Sequence, residues 1–174
     1  GQKVDPRFLA DLGKAALPSP RNEFLFFDRG FAYAQKGEFD KAIHEFTRLI
    51  QLDPDHAKAY SNRGLAYGGK GELDKAISDY IRAIELEPSY AEAYNNRGIA
   101  HGSTGDVAKA LLDFTRAIEL QPNYPEAYNN RGQVWRQILA LNLWRGRDSD
   151  QVADGGENIN DGDQAIDLVG PMLP

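Results

Sequence analysis

Between Lys58 and Gly68 the residues Tyr60, Gly64, Leu65 and Tyr67 fall on one side of a 3.6-residue period, with polar residues between them. That spacing predicts a helix over 58–68. Gly69-Lys70-Gly71 ends it, because two glycines so close favour a turn. A second stripe follows at Leu73, Ala76, Ile77, Tyr80, Ile81 and Ile84, and Pro88 stops it. The pattern predicts a helical hairpin whose apolar stripes face each other. The small residues Gly64 and Ala76 are expected where the two helices cross.

The same shape returns 34 residues to either side. Arg-Gly recurs at Arg29-Gly30, Arg63-Gly64, Arg97-Gly98 and Arg131-Gly132. The turn glycine recurs at Gly37, Gly71 and Gly105, and the alanine at Ala42, Ala76 and Ala110. A ring recurs at Phe46, Tyr80 and Phe114, and a closing proline at Pro54, Pro88 and Pro122. A period of this length predicts a stacked all-α array in which each unit buries its apolar faces against its neighbours. The units are 23–56, 57–90 and 91–124, and a partial unit over 125–144 acts as a cap. Residues 1–22 form an N-terminal segment, with Arg7 to Leu17 predicted as a short amphipathic helix that covers the first unit. Residues 145–174 form a tail predicted to lack fixed structure. Within it Asp163 to Val169 (DQAIDLV) is a short apolar island.

The fourth unit departs from the pattern. Pro125 opens a helix, and Tyr128, Gly132 and Trp135 keep the first-helix spacing. Leu139 then stands where the turn glycine belongs, and no alanine, ring or proline follows in register. One longer helix over about 126–144 is expected. Its apolar end, Ile138 to Trp144, is the first candidate for self-association.

Charge and chemistry narrow the function. The chain of 174 residues carries a net charge of -6, and 26% of its residues are charged. Arg145 and Arg147 face seven acids between Asp148 and Asp167, so most of the net negative charge lies in the tail. No basic stripe is present to track phosphates, which argues against a nucleic-acid partner. No apolar run is long enough to cross a bilayer, so no membrane insertion is expected. With no cysteine, the redox compartment is not legible. The compartment stays open between cytoplasmic and, if Gly1 follows a removed signal peptide, periplasmic or secreted.

His44, His56 and His101 occupy different places in the repeat, and His101 replaces the ring found at Tyr33 and Tyr67. No metal-ligand spacing, nucleophile elbow or phosphate loop occurs. No enzyme activity, cofactor or metal is expected. Glu45, Asp79 and Asp113 keep step with Arg29, Arg63 and Arg97, so each arginine is expected to pair with the acid of its own unit, not to form an anion ladder.

These fixed points resemble the tetratricopeptide repeat (TPR) pattern over roughly 23–137. The resemblance implies a right-handed α-solenoid whose first helices line a concave face, used for binding protein segments. On that face one column reads Asp28, Asn62, Asn96 and Asn130, flanked by Ser61, Asn95 and Asn129 and by Phe31, Leu65, Ile99 and Gln133. Side-chain amides repeated at one spacing offer donors and acceptors to an extended backbone. The column is similar to the asparagine ladder of a protein-glycosylating transferase, with Asp28 a departure at the first rung. The carboxylate clamp of co-chaperone TPR domains is matched only by Asn62, because Phe27, Phe31, Glu92 and Asn96 stand at its other places. The expected peptide site is therefore Phe27, Asp28, Phe31, Lys58, Asn62, Leu65, Asn95, Asn96, Ile99, Asn129, Asn130 and Gln133. Its expected partner is a protein or peptide segment with an apolar anchor. Self-assembly through the terminal helices, or service as the accessory domain of a larger enzyme, are the other readings.

Overall fold

A computed structural model describes residues 20–152, with side chains described for 23–140. Seven helices follow in order among these residues: α1 (Pro20–Gln35), α2 (Phe39–Leu52), α3 (Ala57–Gly69), α4 (Leu73–Leu86), α5 (Ala91–Ser103), α6 (Val107–Leu120) and α7 (Pro125–Val152). The Arg7–Leu17 segment and the Asp163–Val169 island lie outside the described residues. The chain parts into two units within α7, between Trp135 and Arg136. The first unit holds α1 to α6 and the opening turns of α7.

The helical hairpins arise as the periodicity requires. Gly37, Gly71 and Gly105 sit at φ of +74°, +78° and +85°, a region where a Cβ would be strained. Each closes the same turn: Glu38, Glu72 and Asp106 donate their N–H back to the carbonyls of Tyr33, Tyr67 and His101 at 2.9, 3.0 and 2.8 Å. The glycine N–H bonds one residue inside that ring, which is the Schellman arrangement. The chain thus reverses in three residues, and α2, α4 and α6 run back along α1, α3 and α5.

Packing within each hairpin depends on one small-to-large contact. A Cβ built on Gly30, Gly64 or Gly98 would lie 2.8, 2.8 or 2.7 Å from the ring of Phe46, Tyr80 or Phe114. The rings are almost wholly buried, each removing roughly 2–3 kcal/mol worth of apolar surface from water. The side chain nearest Gly64 is the Tyr80 ring, and Ala76 packs beside that ring. It clusters with Tyr80 and with Ala100 of the next hairpin, just as Ala42 clusters with Phe46 and Ala66. The ring thus links two units, and the alanine sits beside it because the next first helix comes close.

Successive helices pack in pairs, and first helices also touch across units, α1 against α3 and α3 against α5. A row of first helices therefore lines one face. One inter-unit contact was not legible: Gly69 leaves room for the Phe39 ring, 2.5 Å from a would-be Cβ. The fourth unit departs further than its sequence suggests. Its helix runs past Trp144 to Val152, into the Gly-, Asp-, Asn- and Ser-rich tail predicted to lack fixed structure.

Gly64→Ala should lower stability by about 1–2 kcal/mol net, as overpacking against Tyr80 outweighs the gain in helix propensity. Gly132 has nothing within 4 Å among the described residues, so Gly132→Ala should be neutral or stabilising by up to about 1 kcal/mol. Urea unfolding of the two variants beside the parent checks both signs.

Candidate functional site

The repeated arginines are structural. Arg63 grips Asp79 through Nε and Nη2, both at 2.7 Å, and Arg97 grips Asp113 at 2.9 and 2.7 Å. Arg29 reaches Glu45 with one bond at 3.0 Å. Glutamate is a methylene longer than aspartate, and here the two-pronged grip is lost: the second oxygen of buried Glu45 has no protein partner. Arg63 also donates to Thr47 of the preceding hairpin at 3.2 Å, joining two units. Two of these guanidinium groups lie over a ring one turn before them, Arg63 over Tyr60 and Arg97 over Tyr94, both at 5.5 Å. Bonding to Asp79 and Asp113 raises both arginines above their ordinary value despite partial burial. Such arginines are spoken for, and no anion ladder forms in these units.

The expected site residues do not all fall in one place. Asn95, Asn96, Ile99, Asn129, Asn130 and Gln133 come together, with Tyr124 and Glu126, around an open groove of about 500 Å³ between α5 and the start of α7. Leu65, Asn96 and Ile99 share a second, more apolar depression of about 220 Å³ with Tyr80 and Leu73. Asn96 and Ile99 therefore belong to both. Phe31, Leu65 and Ile99 form a column of nearly equal exposure, 47%, 46% and 46%, along the first helices. Asp28 and Lys58 are exposed on α1 and α3.

Phe27 packs edge-on against Phe46 at 6.0 Å and stacks on His56 at 5.8 Å, in the same inward-facing column as buried Ser61 and Asn95. The amide rungs are not equivalent. Asn62 spends a donor on its own helix, Nδ2 to the Lys58 carbonyl at 2.8 Å. Asn95 is buried and accepts from Asn130 Nδ2 at 2.9 Å, so the third unit holds the fourth-unit rung in place. Sequence reasoning missed Tyr124 and Glu126, which enter from the loop and first turn ahead of the repeated column. Burial pushes the Tyr124 hydroxyl up to about 12, and the Glu92 and Glu126 carboxylates push the same way. Glu126 sets a carboxylate at that end of the groove, and among the described residues no lysine or arginine lines it.

Residues 30–71 and 69–105 match the family model described as TPR repeat, and residues 91–124 match the model described as tetratricopeptide repeat. The chain belongs to the tetratricopeptide repeat family. Among solved structures, the TPR chain is similar to the first TPR domain of human RPAP3, with 30% identity over 70% of this chain and 96% of that one and a TM-score of 0.67. The first TPR of Spaghetti (RPAP3), bound to the HSP90 peptide SRMEEVD, gives 29% identity over 70% and 96%, with a TM-score of 0.66. MamA gives 29% identity over 69% of this chain and 70% of that one, with a TM-score of 0.64.

Among the described residues no helix of this TPR chain is long and apolar enough to cross a membrane. Its His101 takes the repeat's ring position and lies 4.0 Å from Asp113. Burial holds the imidazole below its ordinary value, against the pull of Asp113.

Two outcomes are expected. Asp79→Ala strands the Arg63 guanidinium and should cost about 3–5 kcal/mol in chemical unfolding. The unfolded chain binds a proton at His101 more readily than the folded one. Stability from the neutral imidazole is complete above the ordinary value and lost as pH falls through the lower folded value. His101→Phe should flatten the decline in melting temperature as pH falls below the ordinary imidazole value of about 6.5.

Proposed function

We propose that this TPR chain is a non-catalytic interaction module that holds an extended protein segment along its first helices. One observation carries the reading: six of the expected site residues converge on the groove between α5 and α7. The groove is lined by side-chain amides and by Ile99, which with Leu65 also lines the neighbouring depression. Amides read a backbone and not a sequence, and the apolar column supplies anchor points for alternate side chains. Two similar structures support the general mode, since their TPR domains are described with HSP90 and HSP70 peptides bound.

The chemistry of the occupant differs from those peptides. SRMEEVD ends in acids, whereas this groove carries Glu126 with Glu92 nearby and, among the described residues, has no basic lining residue. The segment we propose is neutral or basic, with a branched or aromatic side chain set against Leu65 and Ile99.

A display library of unstructured peptides tests the reading. Selected binders should be rich in Lys or Arg beside an apolar residue. Asn96→Ala with Asn130→Ala should weaken them about 10- to 30-fold, the loss of two ordinary hydrogen bonds. Selection of acidic sequences, or binders indifferent to the double variant, would count against the groove.

A further inference from the structure

The fourth unit keeps half of an interface that the other three complete. In each complete unit an Arg-Gly pair on the first helix receives an acid and a ring sixteen residues later: Arg29-Gly30 takes Glu45-Phe46, Arg63-Gly64 takes Asp79-Tyr80, and Arg97-Gly98 takes Asp113-Phe114. At the matching places after Arg131-Gly132 stand Arg147 and Asp148, which supply neither.

The receiving half is nonetheless set as in its siblings. Arg131 lies 5.6 Å from the centroid of Tyr128, against 5.5 Å in the two preceding units. It donates to Thr115 at 3.3 Å, as Arg63 does to Thr47 at 3.2 Å. Among the described residues Arg131 meets no carboxylate, and a Cβ on Gly132 would meet nothing within 4 Å. Tyr128 and Trp135 flank the vacancy at 46% and 37% exposure, where Tyr60 and Tyr94 are half-buried. Residues 128, 131, 132 and 135 lie on the other side of α7 from groove residues 126, 129, 130 and 133, given 100° per residue.

We propose that this face is a docking socket for a helix of a partner protein carrying an acidic residue followed directly by an aromatic one. The acid pairs with Arg131, and the ring lies flat on the Cα of Gly132 between Tyr128 and Trp135. Charge complementarity and continuity with the stack both specify this chemistry. The same acid–ring dipeptide fills the same socket three times in the chain itself.

A labelled synthetic peptide spanning Asp106–Leu120, which carries Asp113-Phe114, is the probe, read by fluorescence anisotropy against the full chain. Saturable binding is expected. Gly132→Ala should weaken it about tenfold or more, because the new methyl meets the incoming ring, while circular dichroism stays unchanged. In the peptide, Phe114→Ala should abolish binding and Asp113→Asn should weaken it. Asn96→Ala with Asn130→Ala should leave it intact, which separates this socket from the groove.

Failure to saturate overturns the proposal. So does binding indifferent to Gly132→Ala, which would mean that the peptide replaces its own helix in the stack. A chain that dimerises in light scattering and turns monomeric with Gly132→Ala would assign the face to a second copy, and that too overturns it.

Discussion

The structure depends on one contact, an aromatic ring laid on the Cα of a glycine. Side chains hold helices 8–10 Å apart, and removing one at the crossing lets the second helix carry a full ring into the gap. Because the ring reaches past its own hairpin to the next unit's alanine, the contact fixes two spacings at once. The arginine before the glycine and the acid before the ring then follow without further design. They sit one residue away on each helix, so wherever the glycine meets the ring, guanidinium and carboxylate are also brought together. Packing and charge are satisfied by adjacent residues of the same two dipeptides.

That economy separates structure from recognition. The repeated glycine, ring, arginine and acid of each hairpin meet one another, and the flank of the groove varies by unit. Position 31 of the first unit is phenylalanine, and its successors are leucine, isoleucine and glutamine. The first-helix row is therefore a constant frame with a changing inscription. The groove between α5 and α7 is a polar part of it, where Asn95 is buried and spends its oxygen on Asn130. A buried amide with its partner in place rigidifies the rung it holds.

The hairpins, their turns and the arginine pairs were legible because each rests on local spacing and recurs. The positive-φ glycines, the closing prolines and the acid in register with each arginine stand in the sequence itself. The groove was legible only in part. Asn62 and Asn130 look alike in a column of letters, yet one bonds its own helix and the other a neighbour. Periodicity gives a helix face but not depth, so the packing of Phe27 on Phe46 and His56, in the column of buried Ser61 and Asn95, could not be read from spacing. Tyr124 and Glu126 escaped notice because the loop before a helix carries no period. The fit of Gly69 to Phe39 needs two units in contact, which no single unit displays.

The ending of the stack follows from the same constraint. A hairpin array is stable where each ring finds both its glycine and the next alanine, so the last unit is the one whose face nothing downstream must match. Here α7 begins as a first helix in every respect, with tyrosine, arginine, glycine and a large ring at their proper spacings. It then continues to Val152 without a turn, since no glycine is available to adopt the left-handed backbone at the place of Gly37, Gly71 and Gly105. A helix needed only as a lid would have no reason to keep arginine and glycine at the socket positions. Alanine there would form a better helix, and an uncharged residue would leave no guanidinium to satisfy. Retaining both makes physical sense where a ring and a carboxylate are brought by something else.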